Sequence, residues 1–469
     1  MLLPQRYLRA IGRVICVLLF GSTTLIHAQD QLSPETTELD RKVVSSAVAK
    51  TNSTPVSPLL AVYFDPVQGT SSNDLVRRAL ASNGELAATR LEIERARARL
   101  RQAGLRPNPS LDYEQSTGRL TGSRGESEIS VGLAVPLELG GKRGRRIDLA
   151  RAELEAAEAE VADRERRLTN EVRALYVEAL AALRELSTLE ELNNLDIQTT
   201  RFVQARVNEG DTAPIELNQL RVEVDRLRSR RELVQGRLQA GLLRLKSLSG
   251  SPPSEPLRLR EDIATPTWGA PPASVEAATE IALRTRPDLK LARLTEEVAQ
   301  AGLQLARAQG APDVTAFTRY SYGTSIFDDT PVGVLTDRDR LLTFGVSVGI
   351  PVFNRNQGAK AEATAAITQA ERRREFAEAM VRTEVQSAYA RYEAARAAVM
   401  NFEQGVIPRS TENIRTIRAA YQIGAFSITD LLVEQRRLVD AQREFTEALA
   451  ERYRALADLE AAIGIPINQ

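Results

Sequence analysis

Apolar residues recur every seven positions over an unusual length of this chain. Counting from Ile147, the positions Leu154, Val161, Leu168, Leu175, Ala182 and Leu189 follow. A second seam of Val172, Ala179 and Leu186 lies four residues after Leu168, Leu175 and Ala182. This heptad spacing predicts one coiled-coil helix. No proline occurs from Leu139 to Val207 and no glycine from Arg145 to Val207, so nothing breaks the helix before a turn near Gly210. About 68 residues at ~1.5 Å each make a rod of roughly 100 Å, which suits a structure that spans a gap. A second helix is expected to run back from the turn to about Leu248.

Period two replaces period seven just before this rod. Ile129, Val131, Leu133, Val135 and Leu137 alternate with Glu128, Ser130, Gly132 and Ala134, and Leu111 and Tyr113 alternate with Asp112 and Glu114. Such alternation marks strands with one apolar face, as in an outer-membrane barrel or a half-buried soluble hairpin. Residues 119–126 make the turn between them. Helical spacing is expected from about Asn73 to Gly104, ended by Pro107-Asn108-Pro109.

The whole series then repeats. A helix is expected from about Val275 to Gln309. Residues 313–323 alternate loosely, and Leu342, Phe344, Val346, Val348 and Ile350 alternate with Thr343, Gly345, Ser347 and Gly349. A long helix follows to about Gln422, with a bend near Pro408, and a last one runs from Ser427 to Ile463. Val135-Pro136 matches Ile350-Pro351, and Glu171-Val172 with Tyr176 matches Glu384-Val385 with Tyr389. Gly210, Leu217 and Gly250 recur as Gly424, Leu431 and Gly464 at one constant spacing. One unit has been duplicated.

The expected organisation is therefore a leader at 1–28, an extended or disordered stretch at 29–72, a first repeat at 73–250, a Pro-rich connector at 251–273, a second repeat at 274–464 and a tail at 465–469. The first repeat holds a β-hairpin at 109–137 and a helical tip at 207–216, the second a β-hairpin at 313–352 and a tip at 421–430. Four strands cannot close a membrane barrel, since these begin at about 8. An open sheet with an apolar face leaves its edges unsatisfied in lipid. The strands must then be shared between chains: three copies supply 12 and two supply 8.

Composition narrows the chemistry. Lys+Arg and Asp+Glu both number 62, so no net field favours nucleic acid, and aromatics make up only 5%, as suits Ala-rich coiled coils. The single Cys, Cys16, and the single His, His27, both precede Gln29. Arg6, Arg9 and Arg13 followed by the apolar run Val14 to Phe20 resemble a secretory signal, with Ala28 suited to cleavage. Cys16 sits inside the apolar run, where lipidation is not expected. A chain processed there has no Cys or His, so disulfides, thiolate metal sites and His-based catalysis are excluded, and no cluster of nucleophile, base and orienting group stands out. No metal site, cofactor or enzymatic activity is expected.

In order and in duplicate, the stretch from Asp74 to Ile463 resembles the TolC family of outer-membrane efflux proteins. The turn Tyr421-Gln422-Ile423-Gly424 followed by Thr429-Asp430-Leu431-Leu432 looks like that family's periplasmic tip. Glu138 to Arg146 and Ile350 to Gly358 look most like its CzcC-type heavy-metal branch. The resemblance implies a mainly α protein with a small β part. It would be a homotrimer with an α-helical tunnel in the periplasm and a shared 12-stranded transmembrane barrel in outer-membrane lipid. It further implies an exit duct that docks a periplasmic adaptor and an inner-membrane pump of the RND type and passes heavy-metal cations outward.

Asp430 matches a family aspartate at the closed entrance, where a carboxylate ring would attract cations. It also completes a capping box with Ser427, and the two roles are compatible. Val433 stands where a second ring aspartate can occur, and Phe426 where an arginine can hold the gate, so an apolar gate using Phe426 is one alternative. Gly210 and Gly424 are expected to end their helices in the left-handed conformation. Tyr421 is expected to pack or to hydrogen-bond across helices, and Asp211, Glu216, Gln422 and Ser427 are candidate adaptor contacts. Lys142, Arg143, Arg145 and Arg146 are expected to form a solvated helix start, or else to anchor lipid head groups. The other readings are a drug, organic-solute or type I secretion duct, and a periplasmic adaptor, which would carry one hairpin rather than two.

Overall fold

The computed structural model describes residues 60–465 apart from 121, 123–124, 265–268, 328–332 and 334. The expected leader at 1–28, residues 29–59 and residues 466–469 lie outside the described residues. In each repeat two short helices lead into two strands, and a long helix then turns back into another. The first repeat holds α1 (Ser72–Ser82), α2 (Gly84–Ala103), β1 (Ser110–Thr117), β2 (Ser127–Leu137), α3 (Lys142–Glu209) and α4 (Pro214–Leu248). The second holds α5 (Val275–Thr285), α6 (Pro287–Gln309), β3 (Val314–Phe327), β4 (Leu335–Val348), α7 (Gln357–Asn401), α8 (Ile407–Gln422) and α9 (Ile428–Ile463). A π-helical turn, Phe402–Val406, joins α7 to α8 just before Pro408, so the expected long helix changes its hydrogen-bond pattern there.

α3 is continuous for 68 residues, from a left-handed Gly141 to a left-handed Gly210. The second expected seam is buried at Val172, Ala179 and Leu186, and the first at Val161, Leu168 and Leu189, with Leu175 and Ala182 half-buried between them. Tyr176, Val177, Leu180 and Leu183 are buried as well, because α1, α4 and α9 surround this stretch. The middle of the rod is thus a core helix, wider in its apolar contacts than a two-seam coiled coil.

Two helices expected as continuous are broken, and the breaks share a purpose. Pro287 disfavours helical geometry at Arg286, which is extended at φ −65°, ψ 124°. Asn83 is extended too and caps α2 by accepting the Leu86 N–H at 2.9 Å. Each break receives the end of its repeat's last helix. Asn83 donates to the Leu248 carbonyl at 3.0 Å, and Thr285 donates to the Ile463 carbonyl at 2.7 Å. Gly250 and Gly464, left-handed at φ 68° and 84°, end α4 and α9 against these breaks. A Cβ on Gly250 would lie 2.5 Å from the Ser82 carbonyl oxygen, and one on Gly464 3.1 Å from Arg286 Cα.

The strands form one antiparallel sheet in the order β1-β2-β3-β4, so the pairing of β2 with β3 joins the two repeats. One face is apolar and exposed, with Val131, Leu133, Tyr320, Leu342 and Phe344 among its members. β1 pairs only with β2 and β4 only with β3 among the described residues, leaving both outer edges open.

The basic cluster after β2 clamps the sheet to the helices. Lys142 is buried and its Nζ lies 2.6 Å from Asp313 Oδ1 at the foot of β3. Arg143 donates to the Gly104 carbonyl at 2.7 Å, and Arg146 pairs with Glu138 and reaches the Leu105 carbonyl at 3.3 Å. Arg143 and Arg145, the latter paired with Asp148 at 3.4 Å, are exposed as a solvated helix start expects, whereas Lys142 is buried and Arg146 half-buried. The reason is topological: α2, β2, α3 and β3 converge here, and their carbonyls and carboxylates need donors.

Candidate functional site

The two tips lie at the end of the helices away from the sheet and have the same backbone turn. Asp211 N–H donates to the Arg206 carbonyl and Ala425 N–H to the Ala420 carbonyl, each at 2.9 Å. Gly210 and Gly424 are left-handed at φ 83° and 79°, as this six-residue return requires. The helices restart differently. Pro214 opens α4, whereas Ser427 caps α9. The Ser427 hydroxyl donates to Asp430 Oδ2 at 2.6 Å and accepts the Asp430 N–H at 3.3 Å. These bonds hold the exposed Asp430 carboxyl below the usual carboxylate range, so it presents a negative charge at the tip.

Under the tips the repeats pack on each other. Val203, Leu217 and Leu220 from the first meet Ile414, Tyr421, Ile428 and Leu431 from the second. Tyr421 is buried at 4% exposure, and its hydroxyl donates to Glu216 Oε2 at 3.3 Å. Burial, reinforced by Glu216, pushes the phenol up to about 12, so it remains a donor at any physiological pH. Of the residues singled out in the sequence, the structure brings together Tyr421 with Glu216 and Ser427 with Asp430. Phe426, Gln422 and Asp211 are exposed, and Glu216 is half-buried beside Tyr421. A groove of about 340 Å³ runs beside the tips between Ile215 and Val222 of α4 and Thr429 and Val433 of α9.

One polar layer escaped the sequence reading. Asp196 of α3 is 1% exposed, and Gln435 of α9 donates to its Oδ1. Its Oδ2 is buried with no hydrogen-bond partner. Alongside, Arg436 of α9 donates to Glu223 of α4 at 2.8 and 3.2 Å. Burial, with Glu223 adding to it and Gln435 and Arg418 opposing, pushes the Asp196 carboxyl up to about 6. The signal was present: continuing the count of sevens from Leu189 reaches Asp196 and then Val203, which is fully buried. A carboxylate at a seam position between two apolar ones marks a buried polar layer.

Comparisons with known proteins agree with this architecture. The family model described as outer membrane efflux protein matches residues 75–251 and 278–465, one match for each repeat. The cobalt-zinc-cadmium resistance protein CzcC of Cupriavidus metallidurans is 25% identical over 82% of this chain and 88% of its own length. The pyoverdine export outer membrane protein OpmQ of Pseudomonas putida is 26% identical over 84% of this chain and 85% of its own. A crystal structure of CusC superposes with a TM-score of 0.71 at 23% identity, covering 84% of this chain and 92% of that one. No described helix is long and apolar enough to cross a membrane. The chain belongs to the outer membrane efflux protein family, with a TolC-like fold, and is an efflux channel of the cell outer membrane.

Proposed function

We propose that three copies assemble so that the free β1 edge of each meets the free β4 edge of the next, closing a barrel of twelve strands above a tunnel of helices. The observation that carries this is the sheet itself: one exposed apolar face and two open edges, a combination stable in lipid only when the edges are closed. The tips then converge at the periplasmic mouth, with Asp430 of each copy lining it and Tyr421–Glu216 holding the helices of the two repeats together. Exposed Asp211, Gln422 and Ser427, with the groove beside Val433, are where a periplasmic adaptor would seat, in series with an inner-membrane pump.

The cargo we infer is a divalent heavy-metal cation. Two resistance proteins support it: CzcC, and the nickel-cobalt-cadmium resistance protein NccC of Alcaligenes xylosoxydans, 25% identical over 60% of this chain. Carboxylates at the mouth suit a cationic cargo. An organic solute is the second reading, favoured by the match to the pyoverdine export protein. A deletion strain challenged with zinc, cobalt, cadmium and a panel of antibiotics tests both. Metal sensitivity restored by the wild-type gene supports the first, and sensitivity confined to organic compounds overturns it.

A further inference from the structure

The register of the sheet sorts its charges by face. Residues paired across antiparallel strands share a face, so each row can be followed from strand to strand. On the apolar face one row runs Leu111–Leu133–Thr318–Phe344, and the next runs Tyr113–Val131–Tyr320–Leu342. Then comes Gln115–Ile129–Tyr322–Arg340, and after it Thr117–Ser127–Thr324–Arg338. Moving away from the helices, aliphatic rows give way to tyrosines and then to two arginines. All the acidic residues of the described strands, Asp112, Glu114, Glu128, Asp337 and Asp339, point to the opposite face, where Glu114 meets Arg319 at 3.6 Å.

Arg338 and Arg340 are exposed on the lipid-facing side, and their rows contain no carboxylate. Arg340 lies over the Tyr322 ring, 5.8 Å from its centroid, which keeps the guanidinium at the level of the aromatic girdle. The exposed side of a neighbouring β1 would not neutralise them either, since Leu111, Tyr113, Gln115 and Thr117 carry no charge. At ~3.4 Å per residue and a tilt of about 40°, Arg340 sits about 21 Å and Arg338 about 26 Å above Val348. The apolar band of an outer-membrane barrel is about 25 Å tall, so the pair brackets its outer edge.

We propose that Arg338 and Arg340 form a docking site for the phosphorylated glycolipid of the outer leaflet. Their guanidiniums hold its phosphates, while Leu342, Phe344 and Tyr320 lie against its acyl chains. Guanidinium forks match phosphate oxygens, and the site is electrostatically complementary to such a head group on a face where the described strand residues place no carboxylate. In a trimer the site occurs once per copy, around the outer rim. The inference extends the channel reading and depends on the apolar face meeting lipid.

The test uses the full chain extracted from outer membranes in mild detergent. Retained lipopolysaccharide is measured by native mass spectrometry, and the shift in melting temperature is recorded on adding lipopolysaccharide, its dephosphorylated form or phosphatidylglycerol. The wild type is expected to retain lipopolysaccharide and to be stabilised by it but not by the dephosphorylated form. R338Q/R340Q should weaken binding about 30-fold, at about fivefold per basic side chain, with R372Q/R415Q as the charge-matched control. If the double variant does not insert, R338Q and R340Q singly read the same comparison. Equal binding by variant and wild type, or equal stabilisation by phosphatidylglycerol, overturns the proposal. A channel that never enters the membrane fails the barrel reading instead, before this comparison is reached.

Discussion

The hydroxyl of Tyr421 donates to the carboxylate of Glu216 across 3.3 Å, and this bond joins the second repeat's outgoing helix to the first repeat's returning helix at the tip. Residues 205 positions apart in the chain thereby share one turn of the entrance. Y421F keeps the packed ring and removes only the donor, which leaves the carboxylate half-buried without it. The loss of one such bond is worth about 1 kcal/mol, or about a fivefold rise in the open population. Planar-bilayer recordings of the variant should show more frequent opening at unchanged full conductance. Opening statistics matching the wild type would mean that the bond does not restrain the tip.

Phe426 is a separate restraint. It is 48% exposed at the tip turn of a single chain, an apolar surface placed where three tips would meet. F426A should loosen the closed state by about 1 kcal/mol if half a phenylalanine is buried there in the trimer. The check is resting conductance, together with susceptibility to a large antibiotic normally excluded by the outer membrane. No change in either would place the ring outside the constriction.

Asp196 gives the protein a pH-dependent stability. Its carboxyl titrates at about 6 in the folded chain against the usual 3.8, so the folded state holds the proton more tightly than the unfolded state does. Stability contributed by the neutral form is full below the lower value and is lost as pH rises through the higher one. D196N is neutral throughout and still accepts from Gln435. Above pH 6 it should be more stable than the wild type by up to about 3 kcal/mol, and below pH 4 the two should converge. Melting curves across that range decide it, and a constant offset at every pH would show that ionisation is not the cause.

The glycines rank by what surrounds them. All of Gly210, Gly250 and Gly464 are left-handed, so alanine costs each about 1 kcal/mol in backbone strain. At Gly210 the new methyl meets open space, at Gly464 it approaches Arg286 Cα at 3.1 Å, and at Gly250 it collides with the Ser82 carbonyl oxygen at 2.5 Å. The expected order of damage is G250A, then G464A, then G210A, read as melting temperature and as yield of folded protein. An equal loss at all three sites would mean that only the backbone conformation matters.

Much of this architecture is legible locally. The count of sevens along α3 and the alternation in β2 and β4 are properties of short windows, and the 214-residue echo from Gly210 to Gly424 is read by laying one such window on another. They predict rods, strands and a duplication because helix and strand periods are local geometry. The tip glycines and the Ser427–Asp430 capping box are readable for the same reason. The breaks at Asn83 and Arg286 were not foreseen, although Asn83-Gly84 and Arg286-Pro287 both carry the chemistry for them. Helical spacing continues across each, and what holds them open is the far end of the same repeat.

The sequence by itself therefore determined the kinds of element and their order, apart from the two helix breaks, along with the requirement that the strands find partners beyond one chain. Only the tertiary structure decided that β2 pairs with β3, that Lys142 is buried against Asp313 rather than solvated, and that Glu216 accepts a hydrogen bond from Tyr421. It also decided that Asp196 sits in a buried layer with Gln435, and that two arginines share the sheet face opposite its acids. The physical reason is the same in each case. Burial and the sign of a neighbouring charge are set by residues far away in sequence, whereas periodicity is set by the residue's own backbone.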